Sequence, residues 1–227
     1  MGTGEAPGKG IKMKKWMVKA GALLLALSLC GCGKKAADIK PADFGTFQNG
    51  VYENAYAGVG IHLDQEWTAL TAQEIQDLPD NAQELVKNTE ISKKESALSK
   101  FMDFTAYNPQ ADSFNIACVE LTDGVQQAYL EMSQEQAVDG LLKNMGALMS
   151  SFASAGMDVQ KVDKVQVSYL GKQWPAIQVT SLVNGSTVYM LRVMDYSLGG
   201  KYGMNLSITS LSEERLPEIL NSFYALK

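Results

Sequence analysis

Residues Val162 to Thr209 read VDKVQVSYLGKQWPAIQVTSLVNGSTVYMLRVMDYSLGGKYGMNLSIT. Four runs rich in β-branched and aromatic residues are separated here by short turns, which contain Gly171-Lys172, Asn184-Gly185 and Gly199-Gly200. Asn-Gly and Gly-Gly are strong hairpin signals because the central residues of two-residue turns need positive φ. The stretch therefore predicts an antiparallel meander of four strands, over Val162–Leu170, Trp174–Leu182, Thr187–Tyr196 and Tyr202–Thr209.

Four further strands are predicted upstream of the meander. Val51–Tyr56 and Val59–Leu63 are short and are separated by Ala57-Gly58. Phe101–Tyr107 and Phe114–Leu121 are rich in apolar residues, and the turn-forming residues between them predict a hairpin.

Helices are predicted at three places. Capping boxes are predicted at Thr71-Ala-Gln-Glu74 and at Ser133-Gln-Glu-Gln136. In a capping box, the side chain of the first residue binds the backbone amide of the fourth, and the side chain of the fourth binds the backbone amide of the first. The second box opens a helix predicted from Ser133 to about Ala155, with one apolar face formed by Ala137, Leu141, Leu142, Met145, Leu148, Met149 and Phe152. A last helix is predicted over 212–224, where Pro217 either kinks the helix or marks its first turn.

Two phrases of this sequence resemble those of a known group of small bacterial lipoproteins. One is Val51-Tyr-Glu-Asn-Ala-Tyr-Ala-Gly-Val-Gly-Ile-His-Leu63 with Trp67, although Asp64-Gln-Glu66 replaces the proline that usually precedes the tryptophan. The other is Tyr202-Gly-Met-Asn-Leu-Ser-Ile-Thr-Ser210 with Ile219-Leu-Asn-Ser-Phe223. The group has a PsbP-like (PsbP/DcrB-type) domain. The resemblance implies an α+β fold, with a single antiparallel sheet and helices on both faces (an α/β/α sandwich), over about 50–226.

The N-terminal part resembles a bacterial lipoprotein signal. Basic residues after Met13 precede a run of about ten apolar residues that ends in Leu29-Cys-Gly-Cys32. This run is too short to cross a bilayer, and the pattern is typical of a secretory signal. The ending resembles a lipobox, in which Leu29, Gly31 and Cys32 form the signal-peptidase site and Cys32 is lipidated. Cys30 does not fit because bulky Leu29 precedes it.

These features predict three segments. Residues 1–31 form the lipoprotein signal, with translation expected to start at Met13. Residues 32–49 contain the lipidated cysteine and a flexible tether, and residues 50–227 form the PsbP-like domain. Two acyl chains hold a protein stably at a membrane, so we expect a lipid anchor on the extracytoplasmic face of the bacterial cell membrane.

Charge argues against a nucleic-acid partner. Removal of residues 1–31 takes away five lysines and one glutamate, which leaves fifteen basic and 24 acidic residues and a net charge near −9. Nucleic-acid binding needs basic patches that neutralise phosphates, and this chain has none in its sequence. Cys118 is then left without a second thiol for an intramolecular disulfide.

No residue pattern predicts catalysis, a metal site or a cofactor. His62 is the only histidine, and Cys118 lies in an apolar run that favours an inert core position. A soft-metal site would need Met145 and Met149, and Met190, Met194 and Met204 would have to join them, whereas core packing explains these methionines more simply. The acids Asp64, Glu66 and Glu74 cluster near Trp67, but turn formation and capping already explain Asp64 and Glu74. A turn explains the Gly199-Gly200 pair.

We therefore expect a lipid-anchored, non-enzymatic binding or accessory module of the cell envelope, with an unidentified envelope protein as partner. The alternatives are a small envelope hydrolase and a ligand carrier for a transporter. Tyr52, Tyr56 and Trp67 are the predicted partner surface, because such aromatics anchor interfaces. In the competing interpretation, the same three side chains close one end of the core.

Overall fold

The predicted meander is present. A computed structural model describes residues 45–71, 102–121, 123–143, 157–196 and 202–226, together with positions 74, 145, 149, 153 and 198. The meander strands are β7 (Asp158–Tyr169), β8 (Lys172–Val183), β9 (Ser186–Asp195) and β10 (Tyr202–Ser210), each paired antiparallel with the next. Asn184 and Gly185 both have positive φ, 49° and 79°, as the hairpin signal requires.

The meander is the larger part of a seven-stranded antiparallel sheet. The other strands are β4 (Thr68–Ala69), β5 (Met102–Tyr107) and β6 (Ser113–Glu120), and the strand order is β4-β5-β6-β10-β9-β8-β7. The predicted β5–β6 hairpin is therefore confirmed, and it joins the meander through β10, the last meander strand. The chain crosses from β6, in the middle of the sheet, to β7 at its far edge.

The prediction of a single sheet is wrong. A second, four-stranded sheet contains β1 (Thr46–Gln48), β2 (Val51–Asn54), β3 (Val59–His62) and β11 (Phe223–Ala225), in the order β1-β2-β3-β11. Its last strand comes from the region predicted as the end of the C-terminal helix, because Phe223 leaves the helix and pairs with Ile61. Its first strand lies inside the segment predicted as tether, so the folded part starts before Gly50.

Three helices are described: α1 (Asp123–Glu131), which the sequence analysis did not predict, α2 (Gln134–Lys143) and α3 (Arg215–Asn221). The capping box before α2 is confirmed, since the Gln136 amide donates to Ser133 Oγ and the Ser133 amide donates to Gln136 Oε1. Thr71 and Glu74 form the same reciprocal pair. The predicted continuation of the α2 helix toward Ala155 lies largely outside the described residues. Pro217 lies in the first turn of α3, which resolves its two predicted roles.

The two faces of the seven-stranded sheet carry separate cores. On one face, α3 and the small sheet pack against β5, β6, β9 and β10 in a cluster that includes Phe104, Phe114, Ile116, Leu206 and Leu216. On the other face, α2 covers β8 in a cluster that includes Val138, Ile177, Val179, Met190 and Met194. We call these the α3 face and the α2 face.

Candidate functional site

The predicted partner surface is only partly exposed. Tyr52 is 1% exposed, and its hydroxyl donates a 2.5 Å hydrogen bond to Asp103 Oδ2, so this side chain cannot contact a partner in the folded protein. The half-buried Tyr56 binds both the amide and the carbonyl of Tyr202 through its hydroxyl. Trp67 is also half-buried, with its ring centroid 5.3 Å from that of Phe114. For Tyr52 the structure favours the competing interpretation, in which the aromatics close the core.

Asp103 lies on β5 of the large sheet and connects it to the small sheet near Gly45, the first described residue. Its carboxylate accepts hydrogen bonds from the Gly45 amide at 3.0 and 3.1 Å, from Asn54 Nδ2 at 2.7 Å and from Tyr52. Asn54 is fully buried and also accepts from the Ala57 amide at 2.8 Å. Burial, followed by the negative charge of Asp103, raises the pKa of Tyr52, so its hydroxyl stays a donor. We call Gly45, Tyr52, Asn54 and Asp103 the Asp103 clamp.

Cys118 lies beside this clamp and is chemically protected. The side chain is fully buried, and Asn54 Nδ2 lies 3.7 Å from Sγ. Burial, with a smaller effect of the Asp103 charge, raises the pKa of the Cys118 thiol to about 12. A thiol that stays protonated at neutral pH is a poor nucleophile and a poor metal ligand. The position fits the interpretation of Cys118 as a small core residue.

The other candidate ligands do not come together. Met204 belongs to the core on the α3 face, whereas Met190 and Met194 belong to the core on the α2 face, so the sheet separates them. His62 is exposed and stacks on Tyr224 with ring centroids 5.1 Å apart. Within the described ranges, no group of three or more His, Cys, Asp or Glu side chains is placed to hold a metal ion.

The acidic residues near Trp67 make exposed hydrogen bonds. Asp64 Oδ1 accepts from the Glu66 amide at 2.9 Å, which agrees with the turn role predicted for Asp64. Glu66 Oε2 accepts from Gln110 Nε2 at 3.1 Å, in the loop between β5 and β6.

The α2 face of the large sheet contains a buried polar area that was not predicted from the sequence. Ser207 lies directly opposite Asn115 on β6 and opposite Arg192 on β9, and Thr209 lies opposite Ser113. Thr105 on β5 lies opposite Asn115 and donates a 2.9 Å hydrogen bond to its Oδ1. We call this set the polar patch, and each member is 6% exposed or less: Thr105, Ser113, Asn115, Arg192, Asn205, Ser207 and Thr209.

Arg192 and Asn205 form the charged end of the polar patch. Asn205 Oδ1 accepts from Arg192 Nη2 at 3.0 Å and from the Tyr196 hydroxyl at 2.8 Å. Gly203 permits this arrangement, because a Cβ there would lie 2.1 Å from Cδ1 of the Tyr196 ring. Burial lowers the pKa of Arg192, and the hydrogen bond with Tyr196 opposes that shift.

The strand sequences contain a partial signal for the polar patch. Polar and apolar residues alternate along Asn205-Leu-Ser-Ile-Thr209 and along Ser113-Phe-Asn-Ile116. Alternation predicts one apolar and one polar face, and the polar face of an antiparallel sheet is expected to meet water. Its burial could not be read from the strands themselves.

Comparison with known proteins gives a likeness of shape but none of sequence. No protein-family model matches the chain, and no curated protein matches its sequence. A solved structure, the solution structure of cyanobacterial PsbP (CyanoP) from Synechocystis sp. PCC 6803, is similar at 11% sequence identity with a TM-score of 0.41. The match covers 87% of this chain and 99% of that one. Among the described residues, no helix is long and apolar enough to cross a membrane.

Proposed function

We propose that the protein is a lipid-anchored, non-enzymatic binding module on the extracytoplasmic face of the bacterial cell membrane. The observation that carries the proposal is the lipobox-like Leu29-Cys-Gly-Cys32 after a basic and an apolar segment. Lipidation of Cys32 would attach the chain by a diacylglyceryl group, which is sufficient for stable membrane association.

The Asp103 clamp supports this proposal, because it fastens the chain close to the anchor. Gly45 follows Cys32 by only thirteen positions, and its amide donates to both carboxylate oxygens of Asp103. A tether of that length spans at most about 45 Å when fully extended. The domain would therefore stay within about one domain diameter of the membrane, and force on the tether would reach the half-buried, hydrogen-bonded Asp103.

Metabolic labelling with a palmitate analogue tests the anchor. Wild-type protein should be labelled and recovered in the membrane fraction, whereas Cys32→Ser should be unlabelled and either unprocessed or released. Cys30→Ser is the matched control, because Cys30 leaves with the signal and its loss should change little. Equal labelling of wild type and Cys32→Ser would refute the anchor.

Binding of a protein partner is tested by cross-linking on intact cells, followed by purification of the anchored protein in detergent. A specific membrane protein recovered with wild type should be lost with Trp67→Ala, at an unchanged Tm, if the half-buried Trp67 is the contact. Tyr56→Phe is the control, since it removes only a hydroxyl that is already bound to Tyr202.

One alternative, the ligand carrier, is favoured by a specific observation. The polar patch places amide, hydroxyl and guanidinium groups inside the protein rather than at its surface. Small-molecule sites use a small number of precisely placed polar groups to orient their ligand.

A further inference from the structure

The polar patch is one continuous surface. Asn115, Ser207 and Arg192 lie side by side on three adjacent strands, so their Cβ atoms are about 5 Å apart from one strand to the next. Asn205 and Thr209 flank Ser207 on the same face of β10, because alternate residues of a strand share a face. Three strands and three residue levels cover an area of about 10 by 14 Å of the sheet.

Five side chains of the patch leave hydrogen-bonding capacity unused. The atoms are Asn115 Nδ2, Asn205 Nδ2 and the hydroxyl oxygens of Ser113, Ser207 and Thr209; within the described part of the chain none has a partner. Four of the five side chains lie directly opposite each other on adjacent strands: Ser113 and Asn115 on β6 face Thr209 and Ser207 on β10. Most buried polar side chains in folded proteins have a partner, so five unpaired groups in one place call for an explanation.

All five unused groups can donate a hydrogen bond. Arg192 can only donate hydrogen bonds, so the side-chain oxygen of Asn205, Oδ1, must face the guanidinium. The two N–H groups of Asn205 Nδ2 therefore point away from Arg192. Asn115 likewise uses Oδ1 to accept from Thr105. The three hydroxyls can donate or accept. A complementary group must therefore offer oxygen acceptors, and the neighbouring guanidinium favours a negatively charged one.

We propose that the polar patch binds the oxyanion group, a carboxylate or a phosphate, of a small molecule. Asn115, Asn205, Ser207 and Thr209 would donate hydrogen bonds to its oxygens, and Arg192 would supply the positive charge. The proposal deepens the binding function given above but does not rest on the lipid anchor. Failure to bind an oxyanion would therefore leave the anchor untouched, and loss of labelling at Cys32 would leave the patch untouched.

Thermal unfolding of the purified mature protein in detergent tests the proposal. The probes are acetate, succinate, citrate and inorganic phosphate, each at millimolar concentration and constant ionic strength, with glucose as a neutral control. Binding to the folded state alone raises Tm with ligand concentration. We expect at least one anion to raise Tm in a dose-dependent manner and glucose to have no effect. The carboxylate and phosphate arms distinguish the two sources of the oxyanion.

Two matched variants place the site. Ser207→Ala with Thr209→Val removes two hydroxyls at little change in volume, and should weaken the apparent Kd by about tenfold or more, since bonds to a charged group are lost. Ser181→Ala is the control, because Ser181 is also buried and unpartnered on the α2 face but lies on β8. It should keep the wild-type response.

Three results would overturn the proposal. In the first, no anion changes Tm of the wild-type protein. In the second, the double variant and Ser181→Ala respond to the anion as wild type does, which would place binding elsewhere. In the third, glucose raises Tm and the anions do not, which would show that the patch selects neutral hydroxyl compounds.

Discussion

Arg215 of α3 reaches the β5–β6 loop and donates to Asp112 Oδ2 through Nε at 3.1 Å and Nη2 at 3.0 Å. The Asp112 side chain is 2% exposed, whereas that of Arg215 is 41% exposed. Asp112 also accepts from Ser210 Oγ at 2.7 Å and from Asn108 Nδ2 at 2.9 Å. One buried carboxylate thus connects the hairpin loop, the end of β10 and the last helix.

Removal of Asp112 should cost much more stability than removal of Arg215. Asp112→Ala leaves several buried donors without an acceptor, so we expect the free energy of unfolding to fall by about 3 kcal/mol. Arg215→Ala should cost about 1 kcal/mol, because solvent screens its half-exposed charge. Urea denaturation at neutral pH measures both. Equal losses would show that the ion pair alone, rather than the whole loop network, stabilises this corner.

Tyr52→Phe should remove the hydroxyl from the Asp103 clamp. The ring contact with Phe104, 4.4 Å between centroids, is retained, whereas the bond to the Asp103 carboxylate and the 3.3 Å bond from Asn54 Nδ2 are lost. We expect a loss of about 2 kcal/mol in urea denaturation, as for other bonds to charged groups. Tyr224→Phe is the control, because its hydroxyl binds Glu53 at an exposed site, and it should cost less than about 0.5 kcal/mol. Similar losses for both variants would argue against the clamp.

Cys118 should make the protein less stable in alkali. Its pKa is about 12 in the folded protein and about 9.0 ordinarily, so the folded state holds the proton more tightly. The resulting stability is complete below about pH 9 and is lost as pH rises toward 12. At about pH 10.5 the loss from this thiol should be about 2 kcal/mol.

Cys118→Ala identifies the part of this alkaline loss that comes from the thiol. Burial also raises the pKa of Tyr52 and Tyr169, so the variant should still lose stability with rising pH, but by less than wild type. Urea denaturation at several pH values measures the difference. Parallel curves for the two proteins would contradict the assignment to Cys118.

Trp67→Ala should be a stability variant. The half-buried ring packs against fully buried Phe114 and the core on the α3 face, so its removal should cost about 3 kcal/mol. Differential scanning calorimetry gives the change in Tm. An unchanged Tm together with loss of partner capture would instead mark Trp67 as an interface anchor.

Leu142→Asp tests the packing of α2. Leu142 is partly buried against the core on the α2 face, and a carboxylate there would replace apolar packing and lose part of its hydration without a partner, so we expect the domain to unfold or to lose several kcal/mol. Leu130→Asp is the control on α1, since Leu130 is 48% exposed and should tolerate the charge. Circular dichroism with thermal melting compares them. A wild-type Tm for Leu142→Asp would show that this face of α2 is open to solvent.

Local patterns explain which elements could be predicted. The Asn184-Gly185 turn and the Ser133–Gln136 capping box depend on residues that are neighbours in the chain, and both were recognisable from composition and spacing alone. Strand β11 was not, because three residues after a helix become a strand only by pairing with β3, more than 150 positions earlier. The single-sheet prediction failed for the same reason.

For the candidate sites too, short-range sequence patterns predicted some features, and only tertiary packing decided the others. By itself, the sequence determined the strand and turn order of the meander, since short-range chemistry specifies it, and the proposed anchor rests on the Leu29-Cys-Gly-Cys32 phrase alone. Only the tertiary structure decided that Tyr52 points at Asp103, that the methionines lie on opposite faces, and that the alternating polar face around Ser207 is buried. Burial and partner choice depend on which distant segments pack together, so a strand's own residues cannot encode them.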